Sequence, residues 1–230
     1  MSEFFSSALF FGVTLSLVTF WIGLLCKKKF RLPLFNPLLI AVILTIIVLL
    51  IFDVDYTTYN DSAKYLSYLL TPTTICLAIP LYEQLTILKK NIKAVLIGIG
   101  AGVLSSLGSI LLLSAAFGLS HEQYLSLLPK SITSAIAVGL SEELGGVVAL
   151  TAFGVTITGI FGNVIAESVL KLFRIEEPVA KGLACGTAAH AIGTAKAMEF
   201  GELEGAMSSL SIAVAGLMTV MAASIFANLL

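Results

Sequence analysis

Charge is scarce in this chain: 12% of its 230 residues are Asp, Glu, Lys or Arg, about half the share of an ordinary soluble domain. The thirteen basic and fourteen acidic residues nearly cancel, and the basic ones fall in short clusters, so neither a nucleic-acid surface nor an acidic tail is indicated. Cysteine is scarce as well. Cys26, Cys76 and Cys185 are odd in number, lack metal-ligand spacing and lie in or beside apolar runs, so they read as small buried hydrophobes rather than a disulfide framework or metal centre. Catalytic signatures are missing: the chain has no His-Glu-x-x-His, no Gly-x-Ser-x-Gly and no phosphate-binding loop, and the glycine-bearing run 186–193 follows no strand. No enzyme activity, cofactor or metal is therefore expected.

Apolar residues fill the space that charge leaves. They make up 58% of the chain and the mean hydropathy is +1.03, which marks an integral membrane protein. Apolar runs of about 17 to 25 residues, each able to cross a hydrocarbon core of ~30 Å, recur along the whole length. The expected fold is an all-α polytopic transmembrane helix bundle with broken or re-entrant helices, compatible with an inverted-repeat transporter, forming a single integral membrane domain over residues 1–230. The first run, 4–25, has no basic n-region before it and no convincing small-residue cleavage site, so it reads as a retained helix rather than a signal peptide.

Further spans are expected at 36–52, 94–117, 145–172 and 206–230, with a polar, tyrosine-bearing loop over 53–64. Residues 65–85 read as a discontinuous helix, broken at Pro72 and weakened at Pro80, because proline frees backbone groups that need other partners. Residues 123–143 are also interrupted, at Leu128-Pro-Lys-Ser131. The Lys and Arg residues cluster at 27–31, 89–93 and 171–181. All three clusters share the cytoplasmic side if 65–85 crosses and 123–143 dips in and returns, with the N-terminus outside and the C-terminus inside. A faint internal repeat pairs residues 74–85 with 133–144, and more weakly Ser134-Ala-Ile136 with His190-Ala-Ile192. Interrupted, mutually similar segments point to a midplane site in transporters.

Two features suggest what that site holds. Hydroxyl residues at Pro129-Lys-Ser-Ile-Thr-Ser134 and at Gly186-Thr187 stand where half-helices would begin inside the membrane, where free N–H groups and the helix dipole favour an anion. Lys130 and Lys196 would add full charge, and a lysine near the bilayer centre costs roughly 2.5–3.5 kcal/mol, so it is rarely there without a partner or a task. Together they describe a pocket for a small carboxylate, with Thr73, Thr74, Ser131, Thr133, Ser134, Thr187 and Thr194 as hydrogen-bond donors. The alternative is that these hydroxyls cap broken helices and join neighbours. With a break near Gly193, His190 could bind and release a coupling proton; it could equally be a buried structural residue bonded to a carbonyl. Glu83, Glu142 and Glu199 are candidates for charge coupling or for neutralising Lys196. Gly98 and Gly102 are spaced as a close helix-packing face.

The stretches LLPKSITSAIAVGLSEELGG (127–146) and FRIEEPVAKGLACGTAAHAIGTAKAMEFGELEGAMSSL (173–210), with LLTPTTICLAIPLYEQL (69–85) upstream, closely resemble the LrgB/CidB family. The resemblance spans nearly the whole chain. It implies a multi-pass protein of the bacterial cell membrane, partnered by a small holin-like LrgA/CidA protein, in a family long described as modulating murein hydrolase activity and autolysis. Plant plastid relatives act as glycolate/glycerate translocators, and bacterial relatives have been linked to pyruvate uptake. The leading expectation is a transporter or facilitator of small monocarboxylates; the competing one is a holin/antiholin-like regulator. Besides the lipid bilayer, the expected partners are the carboxylate, the LrgA/CidA-type protein and further copies of the chain, with no nucleic acid.

Overall fold

The computed structural model describes residues 8–30, 35–69, 72, 76, 79, 82–83 and 85–230. Among the described residues the chain forms nine principal helices and no strand, as expected for an all-α membrane protein. Phe11–Phe30, Lys89–Phe117, Val148–Leu172 and Glu202–Phe226 are long and apolar enough to cross a membrane. The residues fall into two compact units, Met1–Cys76 and Leu77–Leu230.

The first unit holds α1 (Phe11–Phe30), α2 (Pro37–Ile51) and α3 (Tyr56–Ser67). Asn36 starts α2 by accepting the N–H groups of Leu38 at 2.9 Å and Leu39 at 3.3 Å, with Pro37 in the first turn where a missing N–H does no harm. Sequence reading expected a loop over 53–64, but most of it is α3. Two of its polar residues, Ser62 and Tyr59, form a packing seam with α1. Ser62 Oγ accepts the N–H of Gly12 at 2.9 Å, in the first turn of α1 where no intrahelical acceptor exists, and Tyr59 Oη lies 2.7 Å from Ser16 Oγ.

The second unit holds α4 (Leu85–Phe117), α5 (His121–Leu127), α6 (Ser134–Leu144), α7 (Val148–Leu172), α8 (Pro178–Phe200) and α9 (Glu202–Phe226). Helices α5 and α6 are the two limbs of a hairpin. Thr151 Oγ1, near the start of α7, lies 2.9 Å from the Ser126 carbonyl and 2.6 Å from Ser141 Oγ. Ser126 also accepts the Val147 N–H at 2.7 Å, and Tyr124 donates to the Phe226 carbonyl at 2.7 Å. The hairpin's two ends therefore meet, and its tip reaches α4 at Ser106, whose Oγ is 2.9 Å from Ser131 Oγ. Ser106 lies eleven residues inside the end of α4 at Phe117, about 16 Å along the axis. Segment 123–143 thus doubles back, in agreement with the re-entrant expectation. The Lys89–Lys93 and Lys171–Lys181 clusters consequently share one end of this unit.

Helix α8 is a second hairpin, and the sequence placed its bend three residues late. Ala189 (φ −133°, ψ 19°) and His190 (φ 42°, ψ −134°) interrupt it, while Gly193 is where the returning limb packs on Ala189 and the Cys185 carbonyl of the incoming one. A straight helix would hold Gly182 and Gly201 about 28 Å apart. Gly182 instead lies against Glu204 and Met207 in the opening turns of α9. This hairpin enters from the end opposite to the first.

The weaker of the two sequence repeats matches this geometry. Shifting by 56 residues carries the break at Thr133–Ser134 onto Ala189–His190 and the helix end at Gly145 onto Gly201. It also maps one contact onto another. A Cβ on Gly98 of α4 would lie 3.6 Å from Leu183 of the second hairpin, and one on Gly154 of α7 would lie 3.1 Å from Leu127 of the first; 98 becomes 154 as 127 becomes 183. Each span thus packs against the hairpin that follows the other, in opposite directions, the arrangement of an inverted repeat. The 74–85 window of the other repeat lies largely outside the described residues.

Candidate functional site

Where the two tips approach mid-bundle they leave a cavity of about 1010 Å³ between α4 and α7. Lys130 and Ser131 of the first tip and Thr187 and Ala188 of the second line it, facing Ser105, Ser106 and Ser109 of α4 and Thr158 and Gly162 of α7. It extends to Asn91 and Glu177, at the basic end of the unit. Gly98 and Gly102 lie on its α4 wall, and a Cβ on Gly102 would fall 2.6 Å from Thr187 Cγ2. The close-packing face read from these glycines is therefore used within the chain, between α4 and α8.

Lys130 is half-buried in this wall, its Nζ 3.1 Å from Ser131 Oγ. Its ammonium forms no ion pair among the described residues. Lys196, the other intramembrane lysine of the sequence reading, is placed differently. Its Nζ is 2.9 Å from Glu199 Oε2 and 3.5 Å from Glu167 Oε2, and sits 5.1 Å from the centre of the Phe200 ring. It does not line the cavity.

His190 and Thr194 also stand behind the lining. The His190 ring is buried, its Nε2 3.1 Å from the Val155 carbonyl and its edge against Gly159, which ties the bend to the middle of α7. Thr194 Oγ1 donates to the His190 carbonyl at 3.1 Å and lies 2.8 Å from Ser208 Oγ of α9. Asn163 Nδ2 donates to the Ile192 carbonyl at 2.8 Å. These bonds tie the bend and the returning limb of α8 to α7 and α9. Thr133 is the half-buried residue before α6 and Ser134 is exposed, neither facing the cavity. Glu83 and Glu142 are exposed, and Glu199 is held by Lys196. Thr73 and Thr74 lie outside the described residues.

Of the expected binding residues, the cavity thus brings together Lys130, Ser131 and Thr187. Sequence reading missed Ser105, Ser106, Ser109 and Thr158. On α4 the signal was present: Ser105 and Ser106 one turn and Ser109 two turns beyond Gly102 in a largely apolar span, where lipid would reward leucine. Glu167, which faces Lys196, was missed because it is 29 residues away in sequence.

The profile of the LrgB-like family matches residues 16–229. Proteins named "Antiholin-like protein LrgB" from Bacillus mycoides (strain KBAB4), Bacillus cereus (strain B4264) and Bacillus anthracis (strain CDC 684 / NRRL 3495) are each 39% identical to this chain over 218 residues, covering 94% of it and 95% of their own length. No solved structure matches. A whole-length family match on a bundle of apolar spans and paired hairpins leaves one conclusion: the chain belongs to the LrgB family and is a multi-pass protein of the bacterial membrane.

Proposed function

We propose that this chain is a transporter or facilitator of small monocarboxylates, of the pyruvate, glycolate or glycerate type, acting with a small LrgA/CidA-type membrane protein. Lys130 carries the proposal. It is a cation in a mid-bundle cavity with no carboxylate beside it among the described residues. An ammonium at such depth is costly until something neutralises it, and a carboxylate guest would be that partner. Hydroxyls at Ser106, Ser131 and Thr187 offer the hydrogen bonds that orient a small oxygen-rich molecule in an otherwise apolar wall. The cavity reaches the end that carries Lys89–Lys93 and Lys171–Lys181, which the positive-inside rule assigns to the cytoplasm, so this form faces inward. Oppositely inserted hairpins related by a repeat support alternation to an outward-facing form. In this reading His190 acts on the shape of the second hairpin, through its bond to α7, rather than by touching the substrate.

The test is protein-dependent uptake of labelled pyruvate and glycolate into proteoliposomes, with and without the LrgA/CidA-type partner. Saturable uptake is the expected result, and its absence in both preparations removes the proposal. A second reading draws on the printed name of the relatives: an antiholin-like regulator that tunes membrane permeability and, through it, murein hydrolase activity. Release of a large dye from loaded vesicles at the same protein density favours that reading.

A further inference from the structure

The second hairpin enters and leaves the bundle beside the end of α7, and a pocket of about 300 Å³ lies where they meet. Lys171 and Arg174 from the end of α7, Lys181 from the start of α8 and Phe200 from its end line it, with Leu170 and Ile175 as apolar neighbours. Two carboxylates, Glu167 and Glu176, line it too. Glu167 is already engaged: its oxygens lie 2.8 Å from Lys171 Nζ and 3.5 Å from Lys196 Nζ. Among the described residues Arg174 and Lys181 form no ion pair, and neither does Glu176. By the positive-inside rule this is the cytoplasmic end, where a bilayer presents anionic headgroups.

Arg174 holds its place at a conformational cost. It sits at φ 53°, the left-handed position just beyond a helix end that is ordinarily glycine. The turn does not need its side chain. The N–H groups of Phe173, Arg174 and Ile175 bond the carbonyls of Val169, Lys171 and Leu170 at 3.0, 3.2 and 2.9 Å, so the last turn of α7 is closed by backbone alone. An arginine placed where glycine would fit better, exposed and with no ion pair among the described residues, points to a partner for its guanidinium from outside the chain.

A second feature identifies that partner. At Leu170 the charged pocket adjoins an apolar slot of about 150 Å³, which runs along α7 past Val169 and Ala166 to Gly162, against Ala184 and Ala188 of α8. Gly162 is eight residues before Leu170, about 12 Å along the axis into the membrane. Cations at the interface with an apolar slot leading inward match a lipid with a charged head, not a soluble ion. We propose that pocket and slot together bind one anionic phospholipid, its phosphate at Arg174 and Lys181 and one acyl chain in the slot between α7 and the second hairpin. The planar fork of Arg174 suits two phosphate oxygens, and Lys181 adds a point charge. A lipid held this way bridges the end of α7 to the start of α8 and steadies the entry of the hairpin. Gly162, Ala184 and Ala188 also face the main cavity, but Lys130 and Ser131 do not line the slot, so this proposal is independent of what the cavity carries.

The experiment titrates lipid into the full chain in a neutral detergent, counting bound lipid by native mass spectrometry and following thermal unfolding. One phosphatidylglycerol is expected to bind about 10-fold or more tightly than phosphatidylcholine with the same acyl chains, and to raise the melting temperature as it binds. Arg174→Gln and Lys181→Gln should each weaken it by about 5-fold, whereas Lys93→Gln, which removes an exposed cation at the same end but outside the pocket, should leave it unchanged. Arg174→Gly separates the site from the fold: without lipid it should melt no lower than the wild type, because glycine adopts the left-handed turn freely, yet it should gain less from phosphatidylglycerol. Glycerol 3-phosphate and inorganic phosphate carry the charge without the chains and should not raise the melting temperature at matched concentration. Equal affinity for the two lipids, or stabilisation by the soluble phosphates as large as that by the lipid, overturns the proposal. So does a loss in Lys93→Gln as deep as in Arg174→Gln, or unchanged binding when Arg174→Gln and Lys181→Gln are combined.

Discussion

The two hairpins share a frame and divide the chemistry. The first bends through Leu128-Pro-Lys-Ser131, a turn closed by backbone bonds from Lys130 to Leu127 at 3.1 Å and from Ile132 to Pro129 at 3.3 Å, and it carries the cavity's lysine. The second has neither proline nor glycine at its bend. It turns at Ala189 and His190, with His190 in the left-handed region (φ 42°), where a side chain other than glycine is strained by about 1–3 kcal/mol. What holds it there is the ring, fixed between the Val155 carbonyl and the bare backbone of Gly159. One tip is therefore shaped by local turn chemistry and is free to present charge; the other is shaped by a long-range tie and presents small residues beside the cavity.

The largest effect that would break this comparison is expected at Lys130. Lys130→Met removes the cavity cation while keeping its apolar stem, and carboxylate uptake is expected to fall at least about 10-fold, the equivalent of one charge-assisted hydrogen bond. Because no ion pair is lost, the variant's melting temperature should stay close to that of the wild type. Uptake at the wild-type rate would show that the first tip's charge has no part in binding.

The second tip is tested by an inverted order of stability. In an ordinary helix glycine is less stable than alanine by about 0.5–1 kcal/mol. At position 190 the order should reverse: His190→Ala loses the ring's packing and keeps the strain, an expected destabilisation of about 2 kcal/mol, whereas His190→Gly relieves the strain and should be milder by about 1 kcal/mol. Thermal unfolding in nanodiscs reads the difference. Alanine tolerated better than glycine would mean that residue 190 is helical in the membrane.

The repeat itself predicts a graded series on its glycines. Gly102→Ala places a methyl 2.6 Å from Thr187 Cγ2 and should destabilise by about 1–2 kcal/mol, since a packed core yields little to an added carbon. Gly154→Ala has 3.1 Å to the flexible end of Leu127 and Gly98→Ala has 3.6 Å to Leu183. The first of these should be near neutral. Gly98→Ala should gain a few tenths of a kcal/mol from helix propensity, and a large loss there would deny that the two contacts are equivalent.

How much of this was legible in the sequence follows from how local each feature is. The spans, the break at Pro129 and the basic clusters are set by residues adjacent in the chain, and they were readable. The re-entrant course of 123–143 followed from charge, because only that path keeps the clusters on one side. The bend at His190 was not readable, since the signal sought was a glycine and the actual cause is Val155, 35 residues earlier. Gly193 was mistaken for the hinge because glycine also marks close approach, which is its use here. The helix α3 was hidden by its polarity, although Ser62 and Tyr59 turn part of it toward α1. In the site, Lys130, Ser131 and Thr187 came from the sequence, while the serines of α4 were lost behind the glycines beside them.

Lys196 should give the smallest effect, and it sharpens the contrast between the two intramembrane lysines. Its side chain is 14% exposed, but Glu167 and Glu199 are 47% and 46% exposed. Neither carboxylate is buried, so removing the lysine strands no buried charge. Exposed pairs of this kind contribute about 0–1 kcal/mol, and Lys196→Met should lower stability by no more than that, through a weaker tie between the returning limb of the second hairpin and α7. Uptake is expected to stay within about 2-fold of the wild type. A loss as deep as that of Lys130→Met would move the cation that matters from the first hairpin to the second, and the division of labour between the tips would have to be redrawn.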